Sequence, residues 1–196
     1  ATLTPDYPFP STACLLQKAL QAPHVAAFDL QAACSGYIYS LAIAKALIES
    51  SPHYKNVLVV ASEKLSSIVD YQDRTTCILF GDGAAACIVS NSGAGLAIRG
   101  VALGSDGQQA ELLQMPAGGC RLPASKETAE KRLHYIRMQG NEVFKHAVRR
   151  MLEACQQCLQ QVGLSEKDIS YLIPHQANLR IIDAIAKRFA HLPPER

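Results

Sequence analysis

The stretch Ala26-Ala27-Phe28-Asp29-Leu30-Gln31-Ala32-Ala33-Cys34-Ser35-Gly36 joins two elements of different periodicity. Residues 25–30 form a short apolar run that predicts a buried strand. Residues 34–50 carry apolar side chains at helical spacing, and the predicted helix is small and apolar on nearly every face. A helix of that kind packs against sheet on both sides. The stretch therefore indicates a layered α/β protein.

The rest of the chain supports the same fold class. Residues 56–61 are a β-branched run typical of a central strand. Further strands are predicted at 77–80, 84–90 and 96–104, with antiparallel pairing, and at 169–173. Helices are predicted from Ser11 to about residue 21, over 141–162 with Gly163 following, and over 178–190. Gly81-Asp82-Gly83 is predicted to be a tight turn.

Composition excludes several classes of protein. The chain has 196 residues, of which 48% are hydrophobic and 18% charged, so it buries a core and is not disordered in bulk. A formal net charge of +2 gives no general attraction to nucleic acid or to an acidic membrane. No apolar run approaches the roughly 20 residues of a membrane span. Seven cysteines, an odd number without a secretory signal pattern, favour a reducing cytoplasmic location.

Cys34 is the first candidate for chemistry, because it stands where the predicted strand meets the predicted helix. The positive end of a helix dipole favours a thiolate, so we expect a lowered pKa and a stronger nucleophile at this position. Small neighbours such as Ala33 and Gly36 leave room for an acyl group above the sulfur. The alternative is a small apolar thiol that packs in the core.

His175 is the second candidate, and it follows the predicted strand 169–173 at another junction between strand and helix. Ligands bind in layered α/β sheets at the carboxyl ends of strands, so Cys34 and His175 are expected to converge there. The imidazole could polarise a carbonyl or transfer a proton, or it could be satisfied within a turn. Asn178 could be a catalytic amide or the N-cap of the last helix.

Two further patterns are weaker. Cys155 and Cys158 have a CxxC spacing, but they lie mid-helix without a second pair, which favours packing or surface thiols over a metal site. Basic residues recur on the two late helices and form either a patch for an acidic partner or a solvated face. They are Lys145, Arg149, Arg150, Arg180, Lys187 and Arg188.

Five segments together resemble the β-ketoacyl-[acyl-carrier-protein] synthase III family in order and spacing. They are residues 9–11, 26–36, 80–84, 140–145 and 174–181. The resemblance implies a thiolase-like α-β-α-β-α layered sandwich of two similar halves, incomplete at both ends of this chain. Residues 1–93 would be the remainder of the N-terminal half with the nucleophilic cysteine. Residues 94–196 would be part of the C-terminal half with the catalytic histidine.

The resemblance also implies an activity. Cys34 would accept acetyl or another short acyl group from coenzyme A, and malonyl-acyl-carrier protein would then lose carbon dioxide and attack that thioester to start fatty acid synthesis. His175 would donate a hydrogen bond to the malonyl thioester oxygen. The family works as a cytoplasmic homodimer with acyl carrier protein and an acyl-CoA substrate, and it uses no metal or other cofactor.

Further positions carry over by matching the family pattern. Phe9 matches a residue that reaches into the partner's primer pocket, and Leu65, Phe80 and Leu113 match the pocket wall, although a core role fits these apolar residues equally well. Arg74 matches a contact near the adenine of coenzyme A, and Asn141 and Asn178 match tunnel-side amides. The residues that match a basic face for docking the acidic carrier protein are Lys145, Arg180, Lys187 and Arg188.

The pattern departs from the family at the ends. The family's catalytic Asn and its glycine-rich oxyanion segment would lie after Arg196. Losing one oxyanion donor costs about 10² to 10³ in rate, so residues 1–196 alone are expected to show little condensation activity. Two other functions fit the same residues: a related synthase of a specialised β-keto product, and an inactive fragment that binds the carrier.

Overall fold

The computed structural model describes residues 1–193 and residue 195, which form two compact units. The first unit contains Ala1–Leu65 and Asp82–Ile98, and the second contains Ser66–Gly81 and the chain from Arg99 onward. The predicted halves, residues 1–93 and 94–196, are two segments expected to resemble each other in structure, which is a different division from that into compact units. They stay a prediction. Two positions of the second half, Pro194 and Arg196, lie outside the described residues.

The first unit is built on one pair of long strands. Strand β1 (Asn56–Lys64) pairs antiparallel with β2 (Asp82–Ser90), in a register that places Asn56 opposite Ser90 and Lys64 opposite Asp82. The predicted strands at 56–61 and 84–90 are confirmed. The antiparallel partner of 84–90 is β1, and not the segments 77–80 and 96–104 that were predicted to pair with it. Ala1 extends the hydrogen bonding of β1, because its N–H donates to Val60 O at 2.7 Å and its carbonyl accepts from Ser62 N at 3.1 Å.

Two helices complete this unit. Helix α1 (Thr12–Ala19) begins after Ser11, whose hydroxyl caps the N–H of Cys14. The carboxylate of Asp29 accepts hydrogen bonds from the first two N–H groups of the helix, those of Thr12 at 2.7 Å and Ala13 at 2.8 Å. Helix α2 (Gly36–Ser50) packs on the β1–β2 pair. Both helices lie where the sequence predicts them. The predicted packing of α2 against sheet on both sides is not confirmed, because its Tyr37 and Ile38 are 40% and 47% exposed.

The second unit contains one long helix and one short amphipathic helix. Helix α4 (Gly140–Gln161) ends as predicted, with Gly163 in the left-handed region at φ 68°. Helix α5 (Leu179–Ala186) continues as a 3-10 turn through Phe189. Ile181, Ile185 and Phe189 recur every four residues and are buried against apolar side chains of α4.

The chain between residues 99 and 139 carries only short elements. Strand β3 (Leu113–Gln114) pairs with β4 (Arg137–Met138), and helix α3 (Lys126–Glu130) begins in a capping box formed by Ser125 and Thr128. Thr128 is buried, which holds α3 against its unit.

Several predicted strands are absent from the described structure. Residues 25–30, 96–104 and 169–173 are not in strands, and residues 77–79 form a turn. Gly81-Asp82-Gly83 is not a turn, because its last two residues begin β2. These segments are apolar, as a buried strand requires. A strand also needs a neighbouring strand to pair its N–H and C=O groups, and an apolar run does not supply that neighbour.

Candidate active site

Cys34 lies in a 3-10 turn, Ala33–Ser35, that leads directly into α2 at Gly36. Ala33 has a φ of 44°, a left-handed conformation that costs a residue with a side chain about 1–2 kcal/mol. Strained residues of this kind cluster at functional sites. Cys34 follows the strained residue and is exposed, so the alternative of a thiol packed in the core is wrong.

The electrostatics of Cys34 differ from the prediction. Crowding by surrounding protein atoms raises the pKa of the thiol above its ordinary value, a backbone hydrogen bond lowers it, and the negative charge of Glu63 raises it further. The pKa of Cys34 is therefore raised overall, and the predicted lowering by the helix N-terminus is wrong. Glu63 is held in place by hydrogen bonds from Leu3 N at 2.9 Å and from the Thr4 hydroxyl at 2.6 Å.

His175 follows Pro174 in an irregular segment before α5. The residue is exposed, yet neighbouring atoms desolvate the ring enough to lower its pKa. The imidazole is therefore neutral at pH 7 and has one N–H to donate. Cys34 belongs to the first unit and His175 to the second, so their convergence on one site stays a prediction.

Asn178 is the N-cap of α5, and its side-chain oxygen accepts a hydrogen bond from Ile181 N at 3.0 Å. Of the two roles considered for this residue, the structure shows the capping role. Asn141 is the second residue of α4 and is exposed. Its predicted contact with substrate stays a prediction.

The residues expected to line the primer pocket are not core residues of their units. Phe9 is 85% exposed and Leu113 is 39% exposed, so the core alternative is wrong for both. Leu65 begins a 3-10 turn and Phe80 precedes β2, and both are half-buried.

The basic residues fall into two groups. Lys145 pairs with Glu142 at 2.7 Å, and Arg188 pairs with Glu166 at 3.0 Å. Arg180 and Lys187 lie seven positions apart on the exposed side of α5 and its following turn, away from the buried face. Arg74 is exposed in a turn of the second unit.

Cys155 and Cys158 are half-buried within α4, as expected for packing thiols. The Sγ of Cys158 lies 3.7 Å from the position a Cβ would occupy at Gly100. Among residues 1–193 and 195, no group of three or more His, Cys, Asp or Glu side chains could hold a metal ion. No helix in that part of the chain is both long and apolar enough to cross a bilayer.

Comparison with known proteins decides the family. A model of 3-oxoacyl-[acyl-carrier-protein] synthase III matches residues 28–107, and a model of the C-terminal part of the same synthase matches residues 159–196. The chain belongs to the β-ketoacyl-[acyl-carrier-protein] synthase III family. The first match contains Cys34 and the second contains His175.

Individual relatives agree with this assignment. The chain is 58% identical, over 97% of its length, to a β-ketoacyl-[acyl-carrier-protein] synthase III of Chlamydia trachomatis, and it spans 58% of that protein. A crystal structure of 3-oxoacyl-[acyl-carrier-protein] synthase III from Aquifex aeolicus matches with a TM-score of 0.85 at 47% identity. That match covers 99% of this chain and 57% of the Aquifex chain. The chain therefore spans less than two thirds of these relatives.

A third structure is the priming β-ketosynthase from the R1128 polyketide biosynthetic pathway. It matches with a TM-score of 0.81 at 33% identity, over 98% of this chain and 56% of that one. These structural matches confirm the predicted fold class, the thiolase-like layered α/β fold.

Two contacts between distant parts of the chain have no signal in the sequence. Glu63 acts on Cys34 from 29 positions away along the chain, and Asp70 binds Arg132 across 62 positions. No local spacing links either pair, so only the folded chain reveals them.

Proposed function

We propose that the protein containing this chain is a condensing acyltransferase that joins a short acyl group from coenzyme A to malonyl-acyl-carrier protein. The observation that carries the proposal is the 58% identity to the Chlamydia trachomatis synthase over 97% of the chain. The order and spacing of the five segments that resemble the family support it. The reaction begins fatty acid synthesis, and we place it in the cytoplasm and in a homodimer.

The first step is acyl transfer to Cys34. The thiolate attacks the carbonyl carbon of the acyl-CoA, and coenzyme A leaves as its thiolate, so one thioester replaces another. The exposure of Cys34 and the turn that presents it support this role. The raised pKa means that the thiol needs a base before it attacks at neutral pH.

The second step is condensation. Malonyl-carrier loses carbon dioxide, its enolate carbon attacks the acyl thioester, and the Cys34 thiolate leaves, which yields β-ketoacyl-carrier protein. His175, neutral at pH 7, would donate its N–H to the malonyl thioester oxygen as negative charge develops there. Carbon dioxide loss drives carbon–carbon bond formation, so the chemistry requires no cofactor besides the two thioesters.

Binding of the substrates would use the remaining predicted residues. Arg74 and Asn141 would contact the coenzyme A, with Asn178 close to the tunnel. Phe9, Leu65, Phe80 and Leu113 would surround the acyl chain. The carrier protein would dock on Lys145, Arg180, Lys187 and Arg188, among which Arg180 is exposed on α5 and Lys187 is exposed in the turn that follows it.

A second candidate is a related synthase that makes a specialised β-keto product. The 33% identity to the polyketide priming β-ketosynthase favours it. Both candidates use Cys34 and His175, so they differ in acyl donor. Competition between acetyl-CoA and longer or branched acyl-CoA thioesters would separate them.

The deciding experiment is mass spectrometry of the full chain after incubation with acetyl-CoA. We expect one acetyl group on Cys34, its loss in Cys34→Ala, and its retention in Cys120→Ala, which removes another exposed cysteine. A folded sample without the adduct would contradict the acyltransferase and favour a carrier-binding role.

A further inference from the structure

Asp70 is the one carboxylate that is buried among residues 1–193 and 195, at 4% exposure. Arg132 binds it with two nitrogens: Nε donates to Oδ2 at 2.9 Å, and a terminal nitrogen donates to Oδ1. Such a fork-shaped contact fixes both orientation and distance. Both residues belong to the second unit.

The Asp70 side chain also organises the turn that it begins. Its Oδ1 accepts from Gln72 N at 2.9 Å, and its backbone carbonyl accepts from Asp73 N at 2.9 Å. The Asp73 carboxylate in turn accepts from the hydroxyls of Thr75 at 2.6 Å and Thr76 at 3.0 Å. Thr76 is fully buried, so the turn is anchored at both ends.

Arg74 lies at the outer side of this turn, between Asp73 and Thr75. It is exposed, and it makes no ion pair with any residue in the described part of the chain. The hydrogen bonds of its neighbours therefore determine where its backbone lies. Its guanidinium remains available to a ligand.

Arg132 is itself held in place. It has a φ of 55°, its carbonyl accepts from Arg137 at 3.0 Å, and its guanidinium lies 5.0 Å from the centre of the Tyr135 ring. The adjacent chain is fastened to residues before the turn, because Ile136 N donates to Ile68 O at 2.9 Å. The Arg132 guanidinium is thus already held in position where it binds Asp70.

We propose that the Asp70–Arg132 ion pair is a positioning device that holds the 70–76 turn so that Arg74 meets the nucleotide end of a coenzyme A thioester. This inference rests on the proposed function. Neither Asp70 nor Arg132 touches the reacting atoms. A buried carboxylate whose partner is removed is left uncompensated, so the turn would reorganise toward water.

The test compares two acyl donors in the full chain. Acetyl-CoA carries the nucleotide, and acetyl-pantetheine lacks it, so only the first uses Arg74. Displacement of a positioning contact by about 1 Å can cost up to about 10²-fold in rate. Because Arg74 is remote from the reacting carbon, we expect Arg132→Gln to raise the KM for acetyl-CoA in single-turnover acetylation of Cys34 about tenfold, with the maximal rate of acetylation and the acetyl-pantetheine reaction unchanged.

Three variants sharpen the result. Arg132→Lys keeps the charge without the two-nitrogen contact and should give an intermediate KM. Lys131→Gln removes a neighbouring charge that pairs with Glu127 instead, and should have no effect. Arg132→Gln combined with Arg74→Ala should be no worse than Arg74→Ala alone. Hydrogen exchange at the amides of Gln72, Thr76 and Cys77 should accelerate in Arg132→Gln.

The outcomes separate this inference from the proposed function. Equal losses with both donors would show a general structural role and overturn the inference, as would an unchanged KM for acetyl-CoA. If neither donor acetylates the wild-type protein, the proposed function fails and this inference fails with it. A nucleotide-dependent loss together with faster exchange in the turn supports both.

Discussion

The side-chain oxygen of Asn178 accepts a hydrogen bond from the backbone N–H of Ile181 at 3.0 Å, and this contact begins helix α5. Helix α5 carries Ile181, Ile185 and Phe189, the buried cluster of the second unit. Ile181 therefore takes part in the helix cap through its N–H and in the buried cluster through its side chain. The segment before Asn178 contains His175, so the cap also fixes where that segment ends.

We predict that Asn178→Ala lowers the free energy of unfolding by about 1 kcal/mol, the usual cost of losing an N-cap. Asn178→Asp keeps the acceptor and should stay close to wild type. Urea denaturation of the full chain measures both. Equal destabilisation by the two substitutions would show that the amide nitrogen, rather than the cap, is what matters.

Helices and caps were predictable because their signals are local. Ser11, Asn178 and Gly163 occupy the cap positions that the sequence indicates. Strands were harder, since 96–104 and 169–173 have the expected composition without a ladder among the described residues. Pairing depends on a distant partner, which composition does not specify.

The candidate site shows the same division. The positions of Cys34 and His175 beside helices followed from local pattern. The direction of the Cys34 pKa did not, because it depends on crowding in the folded chain and on Glu63. The helix N-terminus beside Cys34 is visible in the sequence, whereas desolvation, which here is the larger effect on the pKa, arises only in the folded chain.

Replacing His175 should separate the two steps of the reaction. Because His175 would stabilise the enolate and takes no part in acyl transfer, His175→Ala in the protein containing this chain should lower condensation by about 10²- to 10³-fold, as for removal of an oxyanion donor. Acetylation of Cys34 should proceed at a normal rate. His53→Ala, a substitution at an exposed turn, is the control. Parallel loss of both steps would argue against this assignment.

Reversing the charge of Arg180 tests the docking face. In the protein containing this chain, Arg180→Glu should raise KM for malonyl-carrier protein about tenfold, because complementary charge guides association with an acidic partner. Acyl transfer from acetyl-CoA should change by less than about twofold. Lys126→Glu makes the same charge change on α3 and should affect neither. Equal losses with coenzyme A and carrier substrates would contradict docking at this face.

The pH dependence of Cys34 follows from the sign of its pKa shift. A raised thiol pKa leaves less thiolate at neutral pH, so the rate of alkylation by iodoacetamide should rise about tenfold per pH unit and level off only above the ordinary range of a thiol.

Glu63→Gln removes a negative charge near Cys34, which lowers the pKa of the thiol and moves the alkylation profile to lower pH. The change should be modest, about threefold or less in rate at pH 7, since crowding by surrounding protein atoms is the larger cause of the raised pKa. Mass spectrometry of Cys34 alkylation against pH measures it, with Glu130→Gln as the matched control. A profile that Glu63→Gln moves to higher pH would contradict the electrostatic assignment.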